Sequence, residues 1–369
     1  GTAVAEIVHD MAPGAAMSLH RVGTTIGLSK AIDQAIADKA DVISMSLSWN
    51  LGGPGDGTGT IADIVAKARN NDINFFKSAG NQANTTWSGT FVDRAIDSDI
   101  YHAWDGTSKW VNFLGPGNGN CYIKPAGSLI QGNLHWDDWT ERKQNYDLHL
   151  VRWTGGAELT LVASSTNVQN GPGGPPPEEA VSYVAPVTAC YGWIVEKTKA
   201  DRNVCFRLIT PNSSIHLDEW TTERSLPFPA DAPTIFAVAA VDASKPYDLE
   251  GYSSQGRTFG TGGTCKGGVV KPDGAAYANV DTSTYGPAGF IGTSAATPHF
   301  GGAAATVRGA YPGWSADLTQ NFLETRAIDM GSAGKDTMYG WGRLHLGNPP
   351  VDYDYQIFLP VMTKVHEAP

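Results

Sequence analysis

One serine stands where a helix of small side chains begins, and its surroundings suit a nucleophile. Residues 292–299 read GTSAATPH and are followed by the Gly- and Ala-rich run 301–305. A hydroxyl at a helix N-terminus lies beside free backbone N–H groups and the positive end of the helix dipole. Both features stabilise the oxyanion that forms when a serine attacks a carbonyl group. The segment therefore predicts a nucleophile at Ser294, although a serine before a helix is also a common N-cap.

The eight-residue string resembles the nucleophile segment of the subtilisin-like serine proteases, peptidase family S8. It departs from the Gly-x-Ser-x-Gly elbow of α/β-hydrolases, because residue 296 is alanine. Residues 78–81 read SAGN and resemble the family's oxyanion segment, in which a side-chain amide, here that of Asn81, donates to the developing oxyanion. Taken alone, Gly80-Asn81 would indicate only a tight turn. The resemblance implies that Ser294 and Asn81 act on one carbonyl group.

The resemblance also implies where a peptide substrate would lie. Residues 41–48 are similar to the family strand whose end pairs with an extended peptide through its backbone. Residues 79–80 would form the opposite wall of S1, the pocket for the side chain that precedes the cleaved bond. The residues expected to bind substrate are Ser46, Leu47, Ser48, Ala79, Gly80 and Thr293.

The catalytic Asp and His of the family have no counterpart that the resemblance can assign. In subtilisin relatives the catalytic His immediately precedes a Gly-Thr at the start of a buried helix, and this chain opens on Gly1-Thr2. We therefore expect the His just before Gly1 and the Asp on a still earlier strand. None of the nine histidines precedes a Gly-Thr, and His299 corresponds to a structural His of the family. The expected activity is a serine endopeptidase whose triad is incomplete in this chain.

Two other functions stay open at this point. Glu6 and Asp10 are one helical turn apart and share a face of the predicted first helix. The sedolisin-type carboxyl proteases use a Glu and an Asp at that spacing, although their oxyanion residue is an Asp where this chain has Asn81. The acidic pair could equally be solvated helix charges or a loop anchor. The other alternative is a non-catalytic pseudoprotease or binding protein that keeps the fold.

The spacing of apolar residues divides the chain into two kinds of segment. Residues 1–90 and 229–347 alternate helical and strand patterns, which predicts an α/β fold with a parallel sheet and helices on both faces. The resemblance implies that this is the subtilisin-like doubly wound sheet. Residues 91–228 carry short alternating strands between turns, which predicts an inserted antiparallel β-sandwich. Residues 348–369 are expected to form a C-terminal tail. The predicted elements of the first segment are helices over 4–11, 28–40 and 61–70 and strands over 16–22, 42–47 and 73–76.

Composition excludes several classes of partner. The net charge is −11, and no apolar run reaches the ~20 residues of a membrane span, so we expect neither nucleic-acid binding nor a membrane span. A chain rich in Gly and Trp with only 17% charged residues is typical of proteins outside the cell, and we expect a secreted or extracellular protein. The segment 136–150 resembles small β-sandwich domains appended to secreted bacterial proteases, which implies a bacterial source. The expected partners are protein or peptide substrates. Neither the oligomeric state nor the cleavage-site preference follows from the sequence.

The four cysteines indicate disulfides rather than a metal site. They show no CxxC pair and no His at metal-ligand spacing, so zinc is not expected. Three full pairings are open, and we rank Cys190–Cys205 first. We expect that no cofactor is required. Asp137, Asp138 and Asp147 could hold a structural calcium or act as turn residues, so no metal site is assigned.

Residues 1–369 alone should hydrolyse a chromogenic peptide only slowly. Without a general base a serine hydroxyl is a weak nucleophile. The loss of a triad member leaves about 10³–10⁴-fold over water, from binding and the oxyanion hole. The measurement compares the initial rates of the chain and its Ser294→Ala variant, which should both be low. Rapid turnover that Ser294→Ala abolishes would contradict this prediction.

Overall fold

The computed structural model describes residues 1–94, 100–116, 121–156, 158–211 and 216–347. The predicted tail, 348–369, lies outside these residues. The helices are α1 (Thr2–Met11), α2 (Thr25–Ala37), α3 (Thr60–Asn70), α4 (Thr293–Ala310) and α5 (Ala316–Arg326). The strands are β1 (Val42–Met45), β2 (Asn74–Ser78), β3 (Thr86–Thr90), β4 (Asn112–Phe113), β5 (Leu129–Trp136), β6 (Asn145–Trp153), β7 (Thr160–Ser165), β8 (Glu178–Val184), β9 (Cys190–Lys199), β10 (Cys205–Ile209), β11 (Phe236–Asp242), β12 (Gly274–Ala278), β13 (Val280–Thr282) and β14 (Gly286–Phe290).

A parallel sheet in the order β1-β2-β11-β12 lies between two layers of helices. Its strands are short apolar runs such as FAVAAVD in β11, as burial on both faces requires. On one face, α1 and α4 pack with Phe76 and Phe236 in one apolar cluster. On the other face, α2 and α3 pack with Phe75. This arrangement confirms the predicted doubly wound α/β fold.

Two antiparallel four-stranded sheets share one apolar core. Their orders are β3-β10-β5-β8 and β4-β9-β6-β7, and their strands lie between β2 and β11 in the chain. Trp136 and Trp193 are buried in this core, and their indole N–H groups donate to the Gln144 carbonyl (2.9 Å) and the Thr210 hydroxyl (3.0 Å). β3 belongs by sequence to the predicted first peptidase segment but pairs with β10. The predicted domain boundaries, and the sandwich as an inserted domain, stay predictions.

Two local expectations differ from the structure. The strand predicted over 16–22 is wrong: these residues form no strand, and Leu19 is 74% exposed. Their alternating pattern has no neighbouring strand to pair with, and a lone strand leaves its backbone groups unpaired. α2 begins three residues before the predicted start at residue 28, because the Thr24 hydroxyl accepts a hydrogen bond from the N–H of Gly27 (3.0 Å) and caps the helix.

The disulfide ranked first, Cys190–Cys205, is also wrong. The structure pairs Cys121 with Cys190 and Cys205 with Cys265, at Cα–Cα distances of 5.8 and 5.4 Å. Cys190 opens β9 and Cys205 opens β10, and these strands belong to different sheets. β9 has ten residues and spans about 30 Å, so its first residue lies far from the turn that leads into β10. Proximity along the chain therefore misleads here.

Candidate active site

The N-terminus of α4 is positioned by close packing of small residues. Gly292 precedes the helix with a φ of +90°, a left-handed conformation that favours glycine. A Cβ at Gly292 would lie 2.8 Å from Nδ2 of Asn81, so the side-chain amide packs directly over the glycine backbone. Further along, a Cβ at Gly302 would overlap the side chain of Met11 in α1. These small residues let α4 lie buried with its first turn beside Asn81.

Asn81 follows β2 and is fixed to the first residue of α4. Its Oδ1 accepts hydrogen bonds from the Thr293 N–H (3.0 Å) and the Thr293 hydroxyl (2.8 Å). The same hydroxyl accepts from the N–H of Gly80 (3.2 Å). Because the side-chain oxygen of Asn81 faces Thr293, its NH₂ group, which carries two donors, is left on the Gly292 side. The structure thus brings together the segments that carry Asn81 and Ser294, while their catalytic roles stay predictions.

A proline inside α4 ties the end of β1 to the same helix. Pro298 has no N–H and cannot donate to the carbonyl four residues earlier, which is that of Ser294. The hydroxyl of Ser46 donates to this carbonyl instead, at 3.2 Å. The backbone of Ser294 is therefore held from β1 by Ser46, just as Thr293 is held from β2 by Asn81.

Five of the six residues predicted to bind substrate lie where the parallel neighbours β1 and β2 end, and the sixth, Thr293, begins α4. In the segment 46–48, Leu47 is 43% exposed, so this wall is open to solvent. Ala79 is fully buried. Gly80 has a φ of +111°, and a Cβ there would overlap Pro227, so the second wall is tightly backed. The two predicted walls face a common edge of the sheet.

Two residues at this edge were missed by sequence analysis. The Tyr252 hydroxyl accepts a hydrogen bond from the N–H of Gly292 (2.8 Å), and burial raises the pKa of this phenol. Lys77 is fully buried in β2, two residues before Ala79. The signal for Lys77 was its charge inside the apolar run INFFKS. Tyr252 gave no signal, because a tyrosine in a turn-rich segment is common on protein surfaces.

His299 and Glu6, two of the side chains considered for catalysis, bind other groups. No hydrogen bond among the described residues joins a histidine to Ser294. His299 donates from Nδ1 to the Ala295 carbonyl (2.9 Å), and burial lowers its pKa. Glu6 accepts from the hydroxyl at 284 (2.5 Å) and the N–H at 283 (2.6 Å), and these bonds lower its pKa. Glu6 thus anchors the loop 283–284, one of the non-catalytic roles considered for it.

Asp137 and Asp138, two of the three acidic residues considered for calcium, accept hydrogen bonds from protein groups. Asp137 accepts from Arg202 (2.8 Å) and from the N–H of Cys205 (3.1 Å). Asp138 accepts from the N–H groups at 143 (2.5 Å) and 144 (2.7 Å). Across the described ranges, no group of three or more His, Cys, Asp or Glu is arranged to hold a metal ion. In the same part of the chain, no helix has the length and apolar character needed to span a membrane.

Comparison with protein families and sequences gives consistent matches. Residues 137–342, more than half of the chain, match the model of the Subtilase family, peptidase S8. Over 55 residues the chain is 46% identical to an extracellular serine protease of Serratia marcescens. The aligned segment is 15% of this chain and 5% of that protein. Over 125 residues it is 30% identical to subtilisin DY of Bacillus licheniformis, which is 34% of this chain and 40% of that protein. The matches thus span less than half the length of either relative.

A solved structure shares the fold. The CspB protease of Clostridium perfringens superposes with a TM-score of 0.57 at 16% sequence identity. The superposition covers 88% of this chain and 71% of that protein. At this level of identity the similarity concerns the fold alone, and it agrees with the parallel sheet and two helical layers described above.

Thr293→Val should lower the free energy of unfolding by about 1–3 kcal/mol, because it leaves the buried N–H of Gly80 without an acceptor. Valine keeps the branched shape of the side chain and has a methyl group in place of the hydroxyl. The measurement is urea denaturation followed by fluorescence. Thr325→Val is the matched control, since its hydroxyl lies on the exposed side of α5 and bonds only within the helix; it should change stability by less than about 0.5 kcal/mol. Equal stability of the two variants would contradict the prediction.

Proposed function

Because the chain belongs to the subtilase family, a family of serine peptidases, we propose that it is the nucleophile-bearing part of a serine endopeptidase that hydrolyses peptide bonds. The link between Asn81 and Thr293 is the observation that carries the proposal. It holds a neutral amide beside the residue that precedes Ser294. A fold maintained only as a scaffold has no need to pair a side-chain amide donor with a helix-terminal serine.

The proposed chemistry uses groups at the N-terminus of α4. The Oγ of Ser294 attacks the carbonyl carbon of the peptide bond, and the carbonyl oxygen becomes an oxyanion. The Ser294 N–H and the Nδ2 of Asn81 donate to that oxygen. Since the Oδ1 of Asn81 is engaged by Thr293, the donor group is oriented before substrate arrives and need not reorganise during the reaction. The positive end of the helix dipole adds to this stabilisation.

The base that completes the mechanism is proposed to lie before Gly1. A histidine there would take the hydroxyl proton of Ser294 and pass it to the leaving amine, with an aspartate orienting the ring. The hydrogen bond of His299 to its own helix supports this assignment, because it withdraws the histidine nearest in sequence to Ser294. Water then releases the acyl group by the same steps. On this proposal, residues 1–369 alone are nearly inactive.

The proposed substrates are proteins or peptides bound in extended form. Their backbone would pair with residues 46–48, and the side chain before the cleaved bond would enter S1 between this wall and residues 79–80. No cofactor takes part in the mechanism. Secretion is supported by the description of one relative as an extracellular serine protease and by two disulfides, which persist in oxidising surroundings.

Asn81→Ala should lower kcat by about 10²–10³-fold with little change in KM, the range known for the loss of one oxyanion-hole donor, including in subtilisin. The donor acts on charge that develops only in the transition state, so substrate binding is largely spared. The protein to assay is the gene product that extends upstream of Gly1, with a chromogenic peptide as substrate. Asn71→Ala is the control, because Asn71 is an exposed residue at the C-terminal end of α3.

Three results of this assay would count against the proposal. An Asn81→Ala variant as active as the wild type would show that Asn81 is not a donor of the oxyanion hole. An active Ser294→Ala variant would show that Ser294 is not the nucleophile. Complete absence of turnover in the extended wild-type protein would favour the non-catalytic pseudoprotease.

The pH dependence separates histidine chemistry from the carboxyl-protease alternative. A histidine base acts in its neutral form, so kcat/KM of the extended protein should rise with pH through about 6.5. Catalysis by Glu6 and Asp10 would instead give maximal activity near about pH 3–4. The two bonds that Glu6 accepts from the loop 283–284 favour the first outcome. An acidic optimum that Glu6→Gln abolishes would refute the histidine mechanism.

A further inference from the structure

A lysine lies buried where the substrate-binding edge of the sheet begins. Lys77 is the fourth residue of β2 and has no exposed surface. Burial lowers its pKa to about 7, since desolvation disfavours the charged ammonium more than the nearby Asp231 carboxylate favours it. Lysine is among the residues least often fully buried without a charged partner. This side chain therefore calls for a physical reason.

The direct partners of Lys77 are neutral. Its Nζ donates to the Ser48 hydroxyl (2.8 Å) and to the Ser78 carbonyl (2.5 Å). An ammonium has three N–H donors, and the third has no hydrogen-bond partner among the described residues. Within the same residues no carboxylate oxygen lies within the 4 Å of an ion pair with Lys77. The cation is thus hydrogen-bonded but lacks a contacting counter-ion.

The carboxylate that acts on Lys77 does so without contact. Asp231 is buried and accepts a hydrogen bond from the N–H of Gly57 (3.1 Å). Its pKa is raised by burial, although the neighbouring Arg207 and Lys271 attract its charged form. Asp231 therefore interacts electrostatically with several cations and forms no contact ion pair with Lys77. A buried cation left without a contacting anion is costly, and a carboxylate brought by a ligand would reduce that cost.

The position of the ammonium matches the inner end of S1. Ser48 follows β1 in the first proposed wall, and Ser78 directly precedes Ala79 in the second. Nζ of Lys77 bridges these two residues and so lies between the bases of both walls. Ser48 is exposed and accepts a hydrogen bond from the buried ammonium, so this residue links Lys77 to the surface. The tip of a side chain that enters fully between the walls would reach this end.

We propose that Lys77 is a specificity-determining residue and that S1 accepts carboxylate side chains, so that the enzyme cleaves after Glu or Asp. The inference rests on the proposed function, because it uses the same two walls. Once the exposed Ser48 side chain turns aside and uncovers the ammonium, an acidic side chain would accept hydrogen bonds from Lys77 and from the Ser48 hydroxyl. An uncharged amide of the same shape would accept one of these bonds without supplying the missing charge. An apolar side chain would leave the ammonium unpaired.

Binding of three peptides tests this inference in the Ser294→Ala background, where none is cleaved. The probes are Ala-Ala-Pro-Xaa-Ala peptides, acetylated and amidated, with Glu, Gln or Phe at Xaa. Calorimetry at about pH 6 keeps the Glu side chain ionised. We expect the Glu peptide to bind about tenfold or more tightly than the Gln peptide, as for a hydrogen bond between charged groups. This comparison needs no change at Lys77.

A variant of Lys77 tests whether the preference for the Glu peptide arises from this lysine. Lys77→Met should bring the Glu and Gln peptides to similar affinities. Lys67→Met is the matched control, because Lys67 pairs with Asp33 on the surface of α3, and it should keep the preference. If Phe or Gln peptides bind as well as the Glu peptide, the assignment of Lys77 is wrong while the proposed cleft stands. If no peptide binds, the cleft itself is wrong and both proposals fall.

Discussion

The candidate site depends on one hydrogen-bonded junction, in which the side-chain oxygen of Asn81 accepts both donors of Thr293. The junction joins the end of β2 to the start of α4, two segments that are 212 positions apart in the chain. It forms only if α4 lies close enough to the sheet. That approach needs glycine at 292, where the amide of Asn81 packs on the backbone, and at 302, where α4 meets α1.

A second hydrogen bond, from the end of β1, also holds the backbone of Ser294 in place. Pro298 removes the helical partner of the Ser294 carbonyl, and the Ser46 hydroxyl replaces it. The end of β1, the end of β2 and the start of α4 are therefore connected by side chains that each satisfy a buried or helix-terminal backbone group. Since unpaired backbone groups are costly inside a protein, the geometry of the candidate site and the stability of the fold are linked in this region.

The sequence predicted those parts of the fold and site that local patterns encode. The apolar spacing of α1, α3 and β2 and the strings at 78–81 and 292–299 are local, and the first three appear close to their predicted bounds. The strand over 16–22 and the cysteine pairing failed because both depend on which strands become neighbours. Tyr252 and Lys77 depend on tertiary contacts too, since their partners Gly292 and Ser48 are remote in sequence.

The two disulfides have a consequence for how this chain withstands cleavage. Cys121–Cys190 and Cys205–Cys265 close loops with sequence separations of 69 and 60. A single break of the backbone inside either loop leaves the two pieces covalently joined, and the strands on each side stay paired within their sheets. The oxidising surroundings outside the cell, where disulfides persist, also contain proteases. Cleavage within these loops would then produce nicked molecules whose two parts stay joined by the disulfide.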